Sequence, residues 1–275
     1  MDDATLQNLT IFMEDELKRF TSNFSTCIGE GGFGIVYKGI CNDGYDLIAV
    51  KRYIHDDLRS REEFMKEVSI HKFMKEVSIH SQIKHKNVVR LIGYCISESN
   101  LTLVTEYISK GNLDDILHNS DILIPLDTRL GIAIGCADAL TYMHSMHLSS
   151  DNLVCHGDIK PANILLDDNF TAKVSDFGLS RLLSGGISQY ISKMDPVCLR
   201  TGHITPRSDV YSFGIVLLEL VSRKRAKEGD VYLVGSFASA KGKGLRELFD
   251  SEISNKYNIE ILQQAVKLAK ECLSL

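Results

Sequence analysis

Between residues 156 and 163 the chain reads His156-Gly157-Asp158-Ile159-Lys160-Pro161-Ala162-Asn163, and thirteen residues beyond Asn163 comes Asp176-Phe177-Gly178. Two carboxylates, an ammonium and a carboxamide this close together suit the transfer of a phosphoryl group. That reaction needs a carboxylate beside the attacking hydroxyl and a cation near the phosphate. It also needs oxygen ligands that hold Mg²⁺ against the β- and γ-phosphates. An exposed polar loop can contain the same residue types, but nothing obliges it to hold them at such fixed offsets. Cys155 and His156 do not read as a nucleophile–base pair, because neighbours on an extended chain point to opposite faces.

A phosphate donor needs a cradle, and the first third of the chain supplies one. In Gly29-Glu30-Gly31-Gly32-Phe33-Gly34-Ile35-Val36 the glycines at 29, 31 and 34 allow a tight hairpin whose backbone N–H groups approach phosphates without side-chain clash. Alone this spacing is weak, since it also opens dinucleotide-binding units. The flank separates the readings. Ile35-Val36-Tyr37-Lys38-Gly39-Ile40 is β-rich, where a dinucleotide site would begin a helix. Leu47-Ile48-Ala49-Val50-Lys51 then reads as an apolar strand ending in one lysine. A lone strand-end lysine is ordinarily just solvated, so its meaning rests on its place after the glycine loop.

These motifs resemble the eukaryotic protein kinases over residues from about 20 to the C-terminus. Phe20-Thr21-Ser22-Asn23-Phe24-Ser25, the His-Gly-Asp triplet and Ser208-Asp209-Val210-Tyr211-Ser212-Phe213-Gly214 are similar to plant receptor-like serine/threonine kinases. Met194-Asp195-Pro196-Val197-Cys198-Leu199-Arg200-Thr201-Gly202 is most similar to the wall-associated kinase-like branch. The resemblance implies ATP and Mg²⁺ as cofactors. It implies that Asp158 orients the substrate hydroxyl, Lys160 neutralises the transferring phosphate, and Asn163 and Asp176 share the metal ions. Gly29, Gly31, Gly34, Val36 and Ala49 would surround the nucleotide, with Lys51 on its α- and β-phosphates. Thr105-Glu106-Tyr107-Ile108 would form the hinge between lobes, with backbone groups of Glu106 and Ile108 on the adenine edge and Thr105 behind the base. An Asp at the position of Asp209 braces the catalytic loop in the family. The same charge also suits a helix N-terminus.

The glutamate partner of Lys51 falls on an abnormal segment. Phe64-Met65-Lys66-Glu67-Val68-Ser69-Ile70-His71 recurs unchanged as residues 73–80. So short a repeat is no solenoid signature; a tandem duplication or a gene-model error is simpler. Nine residues at about 100° each make two and a half turns, so Glu67 and Glu76 face opposite ways on a continuous helix. The stretch from Ser81 to Leu91 leads straight into the next strand and fixes the register from that side, which favours Glu76.

Three features depart from the family pattern. Gly157 replaces the arginine that many kinases place before the catalytic Asp, so control by a phosphorylated loop pairing there is not expected. Tyr190-Ile191-Ser192-Lys193 runs directly into Met194-Asp195, without the Gly-Thr/Ser-x-Gly-Tyr element that docks substrate peptides, and Val197 replaces a usual Glu. The chain stops at Leu275 within a helix marked by Ile261, Ala265, Leu268 and Cys272.

Composition fits a soluble enzyme. Of 275 residues 44% are hydrophobic, and 31 basic against 36 acidic residues give net −5, the wrong sign for a nucleic-acid binder. Seven scattered cysteines without Cys-x-x-Cys or paired-His spacing read as reduced, mostly buried thiols, not as a disulfide framework or zinc site. No apolar run spans a membrane, and the N-terminus has neither a signal-peptide core nor a myristoylation glycine. A cytoplasmic chain is expected, with protein substrates and an upstream membrane receptor or receptor-like kinase as partners. The expected fold is α+β and two-lobed: an N-terminal extension (1–20), an antiparallel-sheet lobe with one main helix (21–108) and an incomplete helical lobe (109–275). Residues 126–144 place Leu130, Ile134, Ala137, Leu140 and Met143 at helical spacing as core. The expected function is ATP-dependent phosphorylation of Ser/Thr in proteins; the alternative is a weak or inactive kinase-like ATP-binding scaffold.

Overall fold

In the run Asp46–Tyr53, Ile48 and Val50 are fully buried on one side, while alternation turns Ala49, Lys51 and Tyr53 to the other. That two-sided strand sits inside a sheet covered on both faces. The computed structural model describes residues 9–31, 34–41, 46–53, 63–98, 100–148, 152–177 and 204–274, which fall into two units, 1–108 and 109–275.

The first unit runs β1 (Thr10–Ile11), α1 (Glu14–Phe20), β2 (Cys27–Gly31), β3 (Gly34–Cys41), β4 (Asp46–Tyr53), α2 (Glu63–Gln82), β5 (Leu91–Ile96) and β6 (Leu101–Glu106). The strands form one sheet in the order β1-β5-β6-β4-β3-β2. Leu17 of α1 packs with Phe12, Ile48, Val50 and Val104 on one face; Phe73 and Val77 of α2 pack with Leu91, Tyr94 and Leu103 on the other. Every described pairing in this sheet is antiparallel except β1 with β5, which is parallel. Residues 9–20 therefore belong to the packed unit and do not stand apart as an extension. Gly93 is what admits β1: a Cβ there would lie 2.0 Å from the carbonyl oxygen of Thr10.

Helix α2 carries both copies of the repeat, and the same tripeptide buries opposite sides in each. Ser69 is buried between half-buried Val68 and Ile70, whereas Ser78 is half-buried between buried Val77 and Ile79. The half-turn offset follows from helical geometry and chooses which copy packs on the sheet.

The second unit contains α3 (Leu113–His118), α4 (Leu126–Ser145), β7 (His147–Leu148), β8 (Asn152–Leu153), a 3-10 turn (Pro161–Asn163), β9 (Ile164–Leu166), β10 (Ala172–Val174), α5 (Pro206–Ser222), α6 (Leu233–Ser239), α7 (Lys243–Arg246) and α8 (Ile259–Leu273). Helix α5 starts with Thr205 accepting from the Ser208 N–H and Pro206 in the first turn; from Ser212 to Ser222 it is buried all round, as a central helix should be. One apolar stripe differs from the spacing-based expectation. In α4, Ile134 is 62% exposed while Arg129, Ile132, Ala133, Cys136 and Ala139 join Leu140 and Met143 inside. Apolar residues nearly encircle α4, so spacing alone does not choose its stripe. In α8 the buried line is Leu262, Val266, Ala269 and Cys272, leaving Ile261 and Leu268 outward.

Arg129 explains the turn of α4. Its side chain is 2% exposed and donates to the carbonyls of Ile124 and Leu220, to Asp250 and to Glu252, and Glu252 also accepts from Arg223. The network ties the start of α4 to the end of α5 and to the turn at residue 250. Burial pushes the Cys136 thiol up to about 12, helped by the negative charge of Asp209, and the Cys95 thiol up to about 11, so both stay protonated and inert near neutrality. No described helix is long and apolar enough to cross a membrane.

Candidate active site

In the first unit, β2 and β3 form the glycine-rich hairpin, with Gly29 paired to Val36 and Gly31 to Gly34; its tip, Gly32-Phe33, lies outside the described residues. The ladder continues from Val36 to Lys51 and from Lys51 to Leu103, and Ala49 pairs with Thr105. Val36 and Lys51 thus lie side by side on adjacent strands. Where β6 ends, Glu106 is held twice by Arg90: its N–H donates to the Arg90 carbonyl (3.0 Å) and its carboxylate accepts from the Arg90 N–H (2.9 Å). Tyr107 N–H donates to Leu47, and Ile108 is buried.

Glu76 is buried, 7% exposed, and accepts a 2.6 Å hydrogen bond from the Tyr53 hydroxyl. The Lys51 ammonium lies 5.0 Å from the Tyr53 ring centroid, and that ring meets Phe73 of α2 edge-on at 5.7 Å. Lys51 and Glu76 therefore share Tyr53 as a contact. Sequence reasoning passes over Tyr53, although the signal is there: two residues past Lys51 on a strand puts it on the same face.

In the second unit the structure brings Asp158, Lys160 and Asn163 together. The Asp158 carboxylate accepts from Lys160 Nζ at 2.6 Å and from Asn163 Nδ2 at 2.9 Å; Asn163 Nδ2 also reaches the Asp158 carbonyl at 2.8 Å. Pro161 opens the 3-10 turn that folds Asn163 back onto Asp158. The β9–β10 hairpin then returns the chain beside this loop, where the Asn163 carbonyl accepts from both the N–H and the hydroxyl of Ser175.

His156 joins these pieces. Its Nδ1 accepts from the Asp158 N–H at 3.1 Å, so the proton sits on Nε2, which donates to the Ser175 carbonyl at 2.9 Å. The His156 and Phe177 rings lie 5.0 Å apart. Asp176 follows at φ 65°, a left-handed conformation that aspartate tolerates better than most residues, and one that concentrates at functional sites. Beneath the loop, Asp209 is 1% exposed and accepts from the N–H groups of His156 (2.8 Å) and Gly157 (2.7 Å). Gly157 takes φ 82° there at no steric cost. The brace expected of Asp209 is present. Unforeseen from the sequence is its third partner, His144 Nε2 at 2.8 Å. Residues 178–203, with the short segment before Asp195 and with Val197, lie outside the described residues.

Comparison with known proteins gives a consistent result. Residues 22–232 match the family model described as protein tyrosine and serine/threonine kinase. Wall-associated receptor kinase 5 of Arabidopsis thaliana is 39% identical over 282 residues, covering 96% of this chain and 37% of that protein. Wall-associated receptor kinase 1 of the same plant is 39% identical over 285 residues, covering 98% and 37%. Putative wall-associated receptor kinase-like 16 is 37% identical over 282 residues, covering 96% and 62%. The chain thus spans less than two thirds of each of these relatives.

Proposed function

The chain belongs to the family of protein tyrosine and serine/threonine kinases, and on that premise we propose that it transfers the γ-phosphoryl group of ATP to serine and threonine hydroxyls of proteins. The observation that carries this reading is the Asp158 carboxylate held between the Lys160 ammonium and the Asn163 amide, on a loop braced by Asp209. In this reading Asp158 accepts the hydrogen bond of the acceptor hydroxyl and aims its oxygen. Lys160, already beside that carboxylate, offsets charge on the moving phosphoryl. Gly29, Gly31, Gly34, Val36 and Ala49 line the nucleotide, Lys51 binds its α- and β-phosphates, and backbone groups of Glu106 and Ile108 hold the adenine. Tyr53 and Glu76 keep the Lys51 side chain in place.

The residues present fit a magnesium ion. Asn163 turns its Nδ2 toward Asp158, which leaves the amide oxygen as the group it can offer a cation, and Asp176 adds a carboxylate; both are the hard oxygen donors Mg²⁺ takes. When bound, the ion neutralises charge on the β- and γ-phosphates. Protein substrates, and a receptor at the membrane upstream of a cytoplasmic kinase, are the partners of this proposal. The competing reading, an ATP-binding scaffold, rests on the shortened stretch Tyr190–Asp195.

Two results are expected at the nucleotide. Saturating Mg-ATP raises the thermal midpoint, since a ligand at a hundredfold excess over its Kd adds about 2.7 kcal/mol to the folded state. No shift at millimolar Mg-ATP would remove both the kinase and the ATP-binding scaffold. Glu76→Ala lowers kcat/KM for ATP roughly 10- to 100-fold, the scale of one hydrogen bond to a charged group. Glu67→Ala leaves it nearly unchanged, because residue 67 is half a turn away around α2. Equal losses at the two positions would show that the second copy does not set the register.

A further inference from the structure

Two residues far apart in sequence join Asp209 behind the catalytic loop. His144 comes from the end of α4, Cys155 from the residue before the loop and Asp209 from the first turn of α5. One donor atom from each lies within 4.8 Å of the others. No local spacing in the sequence signals this set, which is why the cysteines read there as unrelated to metal. We propose that His144, Cys155 and Asp209 form an inhibitory site for a borderline-soft divalent cation, of which Zn²⁺ is the best match.

The donor set decides the class of ion. An imidazole, a thiolate and a carboxylate together suit zinc, whereas magnesium and calcium take oxygen. Three protein ligands leave one tetrahedral position for water. Ordinary bond lengths put neighbouring donors about 3.5 Å apart around zinc, so the widest pair has to draw in by roughly an ångström, while His144 Nε2 and Asp209, 2.8 Å apart, open slightly. The route in is on the His144 side, whose side chain is 17% exposed against 1% for Asp209. On binding, the Cys155 S–H bond breaks and an S–metal bond forms, with that proton leaving to solvent. The His144 Nε2–H bond that faces Asp209 also breaks, its proton passing through solvent to Nδ1, which frees the Nε2 lone pair for the cation. His144 coordinates through Nε2 as the neutral tautomer protonated on Nδ1.

The consequence follows from what Asp209 already does. The oxygen that faces His144 is also the acceptor for the His156 N–H, while its other oxygen holds Gly157. A cation drawing on the first oxygen competes with the His156 N–H for it. His156 in turn holds the Asp158 N–H and the Ser175 carbonyl. The site and the loop brace share one atom, so occupancy loosens the loop that carries Asp158.

The test uses the full chain stripped of metal, with Co²⁺ as the spectroscopic probe. One equivalent should give the thiolate-to-cobalt charge-transfer band and the strong visible bands of a tetrahedral site, and Zn²⁺ should displace them. Cys155→Ser should remove the charge-transfer band, and His144→Gln should weaken binding at least tenfold. An unchanged midpoint for each variant confirms that it folds; should Cys155→Ser fail that check, Cys155→Ala takes its place. A band that survives loss of Cys155, or no tetrahedral cobalt in the unmodified chain, overturns the site. The inhibitory part rests on the proposed kinase activity. Zn²⁺ should lower phosphotransfer roughly tenfold or more in the unmodified chain, the scale of one lost hydrogen bond to a charged group, and much less in Cys155→Ser. Equal inhibition of both would place the effect at the nucleotide and overturn the regulatory role. If no chain transfers phosphate, the kinase reading fails, and cobalt binding still decides the site.

Discussion

Replacing Arg129 with Met is expected to destabilise the second unit by about 3–5 kcal/mol, the usual cost of removing one partner from a buried ion pair. For a unit of this size that lowers its thermal midpoint by roughly 6–20 °C. The loss comes less from the missing attraction than from what remains. Asp250, 8% exposed, is left without the guanidinium, and the carbonyls of Ile124 and Leu220 lose their donor. A second change, Asp250→Leu on top of Arg129→Met, should recover much of the loss, because an apolar pair avoids the desolvation that the ionic pair carries. The control is Lys18→Met. Lys18 pairs with Asp15 on the surface, with side chains 47% and 92% exposed, and its removal should shift the midpoint barely at all. Calorimetry of the three variants checks the order. Comparable shifts for Arg129→Met and Lys18→Met would mean that the network around residue 250 carries no weight.

That network also marks where the sequence stops being readable. The family and the two-lobed α+β class follow from motifs whose members lie close together in the chain. Asp158, Lys160 and Asn163 meet because a proline-led turn folds a short loop on itself, and the glycine hairpin sets Val36 beside Lys51 by strand pairing alone. Period-two alternation even points to Tyr53. The rest depends on closures between distant segments. Arg129 and Asp250 are 121 residues apart, and His144 and Asp209 are 65. Nothing in the apolar run of α4 says that its one arginine turns inward. The stripe assigned through Ile134 misses for this reason: several faces of α4 are apolar, and a buried polar network, not hydrophobic periodicity, picks among them. In α8, Ile261 and Leu262 are both apolar, and the line packed inside runs through Leu262. The strand at Thr10 hides behind Gly93, whose missing side chain leaves no hydrophobic trace.

In the proposed reaction, phosphate transfer hangs on one carboxylate. Asp158→Asn should lower the rate of phosphate incorporation into a generic protein substrate by about 10²–10⁴, the range typical of a positioned acid or base, while Mg-ATP still raises the thermal midpoint as in the unmodified chain. The split follows from what the side chain touches. Its oxygen is engaged by Lys160 and Asn163, and in the proposed mechanism it meets only the acceptor hydroxyl, so the loss falls on the transition state and spares the bound nucleotide. The amide keeps the shape and an acceptor oxygen for Lys160, so the loop has little reason to unfold. Activity of the unmodified chain is expected to lie below the roughly 1–100 s⁻¹ of ordinary kinases, because Tyr190–Lys193 runs into Met194-Asp195 without the residues that dock a peptide. Inserting Gly-Ser-x-Gly-Tyr between Lys193 and Met194 should raise the rate if docking is the only defect. Three chains then decide between enzyme and scaffold: the original, the repaired and Asp158→Asn. Transfer by the original or the repaired chain above the Asp158→Asn background establishes the enzyme. If neither rises above that background while Mg-ATP still stabilises all three, the protein binds nucleotide without using it, and the scaffold reading replaces the kinase.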